Sequence, residues 1–379
     1  MNSKSNPRRQ ILTLVMTEHC NLHCIYCYEK NTGKHVLSVE IAQAAITEAF
    51  QNPKFDELEI DFFGGEPFVT FENIAEICEW LWSREWPKPY ICFATTNGTL
   101  VHGEIKEWVT KHKDRFVIGL SLDGTPEMQN INRCNTYYDI DINLFKELWP
   151  FQPIKMTVSR QTVANMANGI IHIHGLGFMM TCNTAFGIEW KPEDYVVFAR
   201  EMKNLADFYL WNPGIEPCNI ITMSIQRAAQ YAEQVAQADT IIANYCGAGE
   251  SMLSIDRLGK KYPCQTFMPM TVGRDYDLDA AVKTLSSRDN YSDQKCKHCC
   301  LMPVCQTCYG INYVNTGSPF IRDEHNCTFS KIRAKASAYF MSEMITHRAK
   351  NYIYLKDAND LDLSYMIRGI NLINEFVSI

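Results

Sequence analysis

Three cysteines fall within eight residues near the start of the chain, Cys20, Cys24 and Cys27, in the spacing C-x3-C-x2-C. A loop this short can turn all three sulfurs to one side, so three thiolates can cover one face of an iron–sulfur cubane. A four-iron cluster has four ligand positions, and here one iron would stay open. An open metal position chelates a small molecule, as the free site of a catalytic zinc does. A zinc site is the alternative: zinc takes four protein ligands, and only His19 or His23 is near enough in sequence to be the fourth.

A second set of cysteines begins at Cys246. Its spacing is C-x12-G-x4-C through Gly259 to Cys264, then Cys296-x2-Cys299-x5-Cys305-x2-Cys308, then Cys327. Half of the 16 cysteines lie beyond residue 240, and Cys300 is an extra member of this group. The basic N-terminus has no apolar signal core, so a secreted disulfide scaffold is not expected, and clustered thiols then read as metal ligands. Paired C-x2-C spacings also suit zinc, which stays the alternative for this set.

The first cluster, with an aromatic residue (Tyr26) before its third cysteine, resembles the radical S-adenosylmethionine (SAM) superfamily. Phe62-Phe63-Gly64-Gly65-Glu66-Pro67 ends the second strand and is similar to that family's segment for SAM's amino group, with Gly64 and Gly65 for close backbone approach and Glu66 as an acceptor. Thr95-Thr96-Asn97-Gly98 and Ser121-Leu122-Asp123-Gly124 resemble its later strand-end motifs, which makes Asn97, Ser121 and Asp123 candidate SAM contacts. Arg133 is a candidate partner for a SAM or substrate carboxylate. The second cysteine set resembles the SPASM extension, with x2 in place of x3 between Cys305 and Cys308. By that resemblance Cys296, Cys299, Cys305 and Cys327 would hold a distal auxiliary 4Fe-4S cluster, and Cys246, Cys264 and Cys308 a nearer one. Cys218 is the candidate for its fourth ligand, unless the site is left open for a substrate thiol.

The elements that must position these residues are legible as an alternation. Short apolar runs at Ile11–Met16, Leu58–Phe63, Tyr90–Thr95, Phe116–Leu122, Ile154–Ser159 and Phe178–Asn183 read as strands. Helical patterns fall between them at 38–51, 71–84, 101–111, 138–149 and 163–174. Six such units predict α/β architecture, a partial (β/α)6 TIM-like barrel, with the motifs at the C-terminal ends of its strands. The expected organisation is a barrel core at 10–190, a helical bridge at 191–245, a small SPASM domain at 246–330 with one hairpin around 251–264, and C-terminal helices at 331–379. Cys78 and Cys92 read as core thiols, Cys134 and Cys182 as bystanders, and His172 and His174 as helix-end residues.

Net charge is −7, with no basic run and no stretch of 18 apolar residues. General nucleic-acid binding and a membrane-spanning helix are therefore not expected, and a cytoplasmic location is. The resemblance implies reductive cleavage of SAM to a 5′-deoxyadenosyl radical and hydrogen abstraction from a peptide, with flavodoxin or ferredoxin as the reductant. Ribosomally made peptides that receive a thioether or a carbon–carbon or carbon–oxygen crosslink are the expected substrates. Formylglycine formation in sulfatases is the competing reading, but its family carries an Asp where this chain has Gln265, and a neutral amide is no carboxylate base. Only about ten residues precede the first strand, so a leader-recognition domain is expected to be absent or encoded as a separate protein. A non-catalytic iron–sulfur or zinc module is the alternative from another class.

Overall fold

A computed structural model describes residues 7–30, 33–237, 246–273, 285, 293–297, 299, 301–302, 305, 307–347 and 351–377. Strands β1 (Arg9–Thr17), β2 (Glu57–Gly64), β3 (Tyr90–Thr96) and β4 (Phe116–Leu120) pair in parallel in chain order. Helices α1 (Val39–Gln51), α2 (Phe71–Trp82) and α3 (Gly103–Lys111) connect them. Apolar residues on alternate strand positions, Leu12, Leu14, Ile60 and Phe62, are fully buried, as are Ile46 on α1 and Ile74 on α2. Ser38 caps α1 through its side chain, which accepts from the Ile41 amide at 3.3 Å.

By internal contacts the chain divides into two compact units. The first holds Met1–Leu122, Arg133–Pro153 and Gly247–Ser286; the second holds Asp123–Asn132, Ile154–Cys246 and Ser287–Ile379. The expected hairpin forms from Met252–Ile255 and Lys261–Tyr262, paired antiparallel. Its first strand also adds in parallel to β1, from Ile11↔Met252 to Leu14↔Ile255. The sheet of the first unit therefore runs β4-β3-β2-β1 and then the hairpin.

In the second unit, β5 (Ile154–Val158) and β6 (Met180–Thr184) form their own parallel pair. The six expected strands are all present and α/β holds, but they form two ladders rather than one continuous series. An amide of β5, Thr157, donates to the Asp123 carboxylate at 2.8 Å instead of to another strand. Helix α4 (Pro126–Asn132) lies in a stretch to which the sequence pattern assigned no element, and α5 (Ile142–Leu148) starts later than expected because Asp141, not Tyr138, supplies its cap. Long helices α6 (Pro192–Trp211) and α7 (Asn219–Gln237) both pack on Glu324–Thr346, where the Phe329 ring meets Trp190, Tyr195 and Phe198 edge-on. Among the described residues no helix is long and apolar enough to cross a membrane.

Candidate active site

The cysteine loop leaves the C-terminal end of β1 through a bulge. Val15 pairs with Phe63 but Thr17 pairs with Gly64, so one extra residue bends the strand where the loop begins. The Thr17 hydroxyl then donates to the His35 carbonyl and accepts from the His19 amide, both at 3.1 Å.

Two glycines seat this loop against β2. Gly64 has φ +152°, and a Cβ there would lie 2.4 Å from the Thr17 carbonyl oxygen. A Cβ on Gly65 would lie 2.5 Å from the His19 carbonyl oxygen and 2.9 Å from the Cys20 nitrogen. These are backbone atoms and cannot swing away, so the close approach requires glycine. The amides of Gly65 and Glu66 donate to the carbonyls of Thr17 and His19, at 2.9 and 3.0 Å.

Glu66 is the hub of the site. It is 1% exposed. Its carboxylate accepts from the Thr96 hydroxyl at 2.7 Å, the Asn97 amide at 2.8 Å and the Phe68 amide at 3.3 Å. Burial pushes this carboxyl up, to about 7, against the three hydrogen bonds that favour its ionised form. The acceptor expected to meet a ligand's amino group is thus turned onto the protein, where it ties β2 to β3. Asn97 extends the tie. Its Nδ2 donates to Asn21 Oδ1 at 2.9 Å, and Asn21 Nδ2 donates to Thr99 Oγ1 at 2.8 Å. Asn21 lies between the first two cysteines, so the ends of three strands and the cysteine loop form one hydrogen-bonded assembly. Thr96 and Asn21 were not singled out by spacing; both stand inside motifs that were.

Cys20 and Cys24 are half-buried and Cys27 is exposed. Burial pushes the Cys20 thiol up to about 12 and the Cys27 thiol up to about 11. A metal must displace the proton of a thiol to bind it. Among the described residues no three His, Cys, Asp or Glu side chains converge on one point as ligands of a single ion. A cubane sets a different requirement, because each thiolate binds a different iron. Three cysteines on one loop, within electrostatic range of each other, are a donor set suited to a cluster with one open iron.

Tyr26 is buried at this loop, and the Arg133 guanidinium lies 5.5 Å from its ring centroid. Arg133 also lowers the Glu66 and Cys27 groups electrostatically, which places its charge beside the cysteine loop. Cys134, set aside as a bystander, has φ 59° and its sulfur accepts from the His23 amide at 3.3 Å. Ser121 is nearly buried just past β4, its amide bound to the Thr96 carbonyl at 2.9 Å.

Asp123 lies in the second unit and is fully buried. One carboxylate oxygen accepts from the Thr157 amide at 2.8 Å and the other from Asn132 Nδ2 at 3.1 Å. Asn132 Oδ1 in turn accepts from the Ser159 hydroxyl at 2.7 Å. Asp123 therefore holds β5 to α4 rather than exposing an acceptor. Asp123→Asn keeps the shape but sets an N–H donor against one of these donors. The expected loss is about 1–3 kcal/mol of stability, read as a lower urea midpoint; an unchanged midpoint would mean that the carboxylate is dispensable.

Among the later cysteines, Cys296 is buried and Cys299, Cys305, Cys308 and Cys327 are half-buried. Cys296 and Cys327 each feel the charge of Cys305, so these three share one neighbourhood. The buried Arg322 guanidinium hydrogen-bonds Cys296 and opposes the upward push of burial. Cys246 is half-buried in the second unit, and Cys264 is buried in the first, its sulfur 3.0 Å from Thr266 Oγ1. Cys218 is buried, its amide donating to the Tyr209 hydroxyl at 3.1 Å, and lies close enough to Cys182 to raise that thiol further. Cys300 lies outside the described residues. Cys78 and Cys92 are buried and hydrogen-bonded to each other, as core thiols. His174 bonds the Phe178 carbonyl and the Tyr209 hydroxyl, a structural role.

Comparison with known proteins meets this geometry from outside. The family described as a 4Fe-4S single cluster domain matches residues 9–135. A cysteine-type anaerobic sulfatase-maturating enzyme of Clostridium perfringens is 23% identical over 290 residues, covering 69% of this chain and 75% of the relative. The radical SAM cyclopropyl synthase TigE of Paramaledivibacter caminithermalis is 21% identical over 360 residues, covering 85% and 72%. The subtilosin biosynthesis protein AlbA of Bacillus subtilis is 32% identical over 277 residues, 67% of this chain but only 54% of AlbA. This chain also spans only 38% of an uncharacterized protein of Methanocaldococcus jannaschii to which it is 33% identical. In fold, a structure of anSMEcpe with bound AdoMet superposes with TM-score 0.69 at 18% identity, covering 96% of this chain and 99% of that one. Streptococcus suis SuiB bound to precursor peptide SuiA gives 0.54 at 17% identity, covering 84% and 75%.

Proposed function

Because the chain is a radical SAM enzyme of the SPASM type, we propose that it installs a crosslink in a ribosomally made peptide. The observation that carries this reading is the assembly of the Cys20, Cys24 and Cys27 loop with Gly65, Glu66 and Asn97 at the ends of three adjacent strands. A 4Fe-4S cluster held there by Cys20, Cys24 and Cys27 would supply the electron for reductive cleavage of SAM.

The chain's own residues do the rest. Cys20, Cys24 and Cys27 would be the thiolate ligands of that cluster. Gly64 and Gly65 bring the backbone of β2 against the loop, Glu66 and Asn97 lock its position, and Arg133 offers a positive charge for a carboxylate. Cys246, Cys264 and Cys308, and Cys296, Cys299, Cys305 and Cys327, would hold two auxiliary clusters, which would supply an acceptor for the second electron. Peptide-directed chemistry draws support from AlbA, named for biosynthesis of the bacteriocin subtilosin, and from the fold shared with SuiB, a protein solved with a bound precursor peptide.

Sulfatase maturation is the second reading. The extent of the match to the sulfatase-maturating enzymes and to anSMEcpe favours it. Against it stands Gln265, half-buried after the hairpin, where that chemistry uses a carboxylate. One experiment separates the two: anaerobic co-expression with a candidate short peptide encoded near the gene, and in parallel with the Cp18Cys peptide. The expected result is loss of a pair of hydrogen atoms per crosslink in the first peptide, seen by mass spectrometry, with no change in the second. Conversion of the Cp18Cys cysteine to an aldehyde would instead establish the maturase reading. An unchanged mass for both peptides, with SAM cleaved, would refute each.

A further inference from the structure

In the second unit one short segment, Arg322-Asp323, ties two of the later cysteines together. The Asp293 carbonyl accepts from the Cys296 amide at 3.0 Å, and the Asp293 carboxylate accepts from the Arg322 amide at 3.3 Å. One residue on, the Asp323 carbonyl accepts from the Cys327 amide, also at 3.0 Å. Asp323 is itself fixed. Its amide donates to Asn312 Oδ1 at 3.2 Å, and Asn315 Nδ2 donates to its carboxylate at 2.9 Å. The same carboxylate caps the helix Glu324–Thr346 by accepting from the Asn326 amide at 2.8 Å. The turn at Cys296 and the helix start at Cys327 are thus held by backbone bonds, with Arg322 between them.

Arg322 is 3% exposed, and its guanidinium hydrogen-bonds the Cys296 sulfur. Other cations near these thiols face water. Lys295 donates to Glu324 at 2.9 Å and lies 3.6 Å from Asp293, and Lys331 is exposed. Both act on Cys327, from positions where solvent and salt screen them. At Cys296 the pull of Arg322 exceeds the opposing push of Asp293. A buried charge acts through a lower effective dielectric, so Arg322 is the cation with the strongest hold on this group of thiols.

The donor set suits a cluster: Cys296 and Cys327 each feel the charge of Cys305. A 4Fe-4S group held by thiolates is anionic and would gain one further negative charge on reduction. Hydrogen bonds to its sulfurs and nearby charge set its potential. We propose that Arg322 tunes the distal auxiliary cluster, its guanidinium donating to the Cys296 sulfur and so holding the reduction potential high enough for that cluster to accept one electron. The proposal rests on the assignment of Cys296, Cys299, Cys305 and Cys327 to one cluster, and not on which bond forms in the substrate.

The test uses full-length Cys20/Cys24/Cys27→Ala protein, reconstituted so that only the auxiliary clusters remain, in a redox titration followed by EPR. Arg322→Met in this protein removes the charge and the donors while keeping an apolar stem. One of the two reduction waves should move down while the other stays in place. At fixed potential its reduced-to-oxidised ratio should fall at least about tenfold, 59 mV for a one-electron couple. Arg322→Lys keeps the charge but not the planar fork, and should give a smaller shift of the same sign. Pulsed EPR should detect a solvent-exchangeable proton coupled to the reduced cluster, lost in Arg322→Met, which a merely structural role would not produce. If Arg322→Met fails to retain iron, Arg322→Lys decides by the same wave. Two unshifted waves in the variant that retains iron overturn the proposal alone. Two waves that survive Cys296→Ala/Cys327→Ala overturn the cluster assignment, and this proposal with it. An enzyme that shows the shift yet leaves its peptide unmodified strikes the crosslinking reading and leaves the role of Arg322 standing.

Discussion

Alanine at Cys20, Cys24 and Cys27 together is expected to lower iron from about twelve to about eight per chain after anaerobic reconstitution, with labile sulfide falling in step. Formation of 5′-deoxyadenosine should drop to background. The three thiols sit on one loop, and none has a substitute: His19 and His23 would have to replace sulfur with nitrogen on a cluster whose irons favour thiolate. The loop backbone is held to the strands by Thr17, Gly65, Glu66 and Asn21. The triple variant should therefore fold, and its loss should be confined to one cluster. A fall from about eight to about four would instead mean that one auxiliary site is empty, and the nearer one, with its incomplete ligand set, is the first suspect. Zinc without sulfide would refute the radical reading outright.

Glu66→Ala is expected to have the second largest effect. Its carboxylate is the shared acceptor of Thr96, Asn97 and Phe68, all in a buried setting. Removing it strands three donors, and each costs on the order of 1–3 kcal/mol unless water enters. The expected loss is about 3 kcal/mol or more in unfolding free energy, read as a lower urea midpoint. Function should fail before folding does. Without Glu66, Asn97 no longer has its amide anchored, so its side chain loses its hold on Asn21 inside the cysteine loop. First-cluster iron should become labile to chelator while the auxiliary clusters persist. Glu66→Gln keeps the shape and one acceptor, and should fall between wild type and Glu66→Ala. A Glu66→Ala enzyme with wild-type stability and a chelator-resistant first cluster would show that the hub is ornamental.

Much of the fold and of the candidate site was legible because both rest on local rules. The alternation of apolar runs with capped helices marked all six parallel strands, and the hairpin near Lys261 showed its turn. The C-x3-C-x2-C spacing announced metal chemistry because three thiols on eight residues share a face whatever surrounds them. Gly64 and Gly65 were readable as close-approach positions, and the structure supplies the atoms they approach. The rest was not legible, since it depends on contacts far apart in the chain. The hairpin's union with β1 joins residues about 240 apart. Helix α4 is too short for periodicity to reveal.

The division between sequence and tertiary structure follows the range of the forces involved. Residue type and spacing alone determined the donor set, the α/β class and the placement of the motifs at strand ends, because thiolate chemistry and backbone propensity act over a few residues. Only the tertiary structure decided that Glu66 and Asp123 turn inward as supports. A buried carboxylate must find donors, and those donors, Asn97 and Thr157, are 31 and 34 residues away. The tertiary structure also set Arg322 against Cys296, since its place depends on the Asp293 carboxylate, 29 residues away.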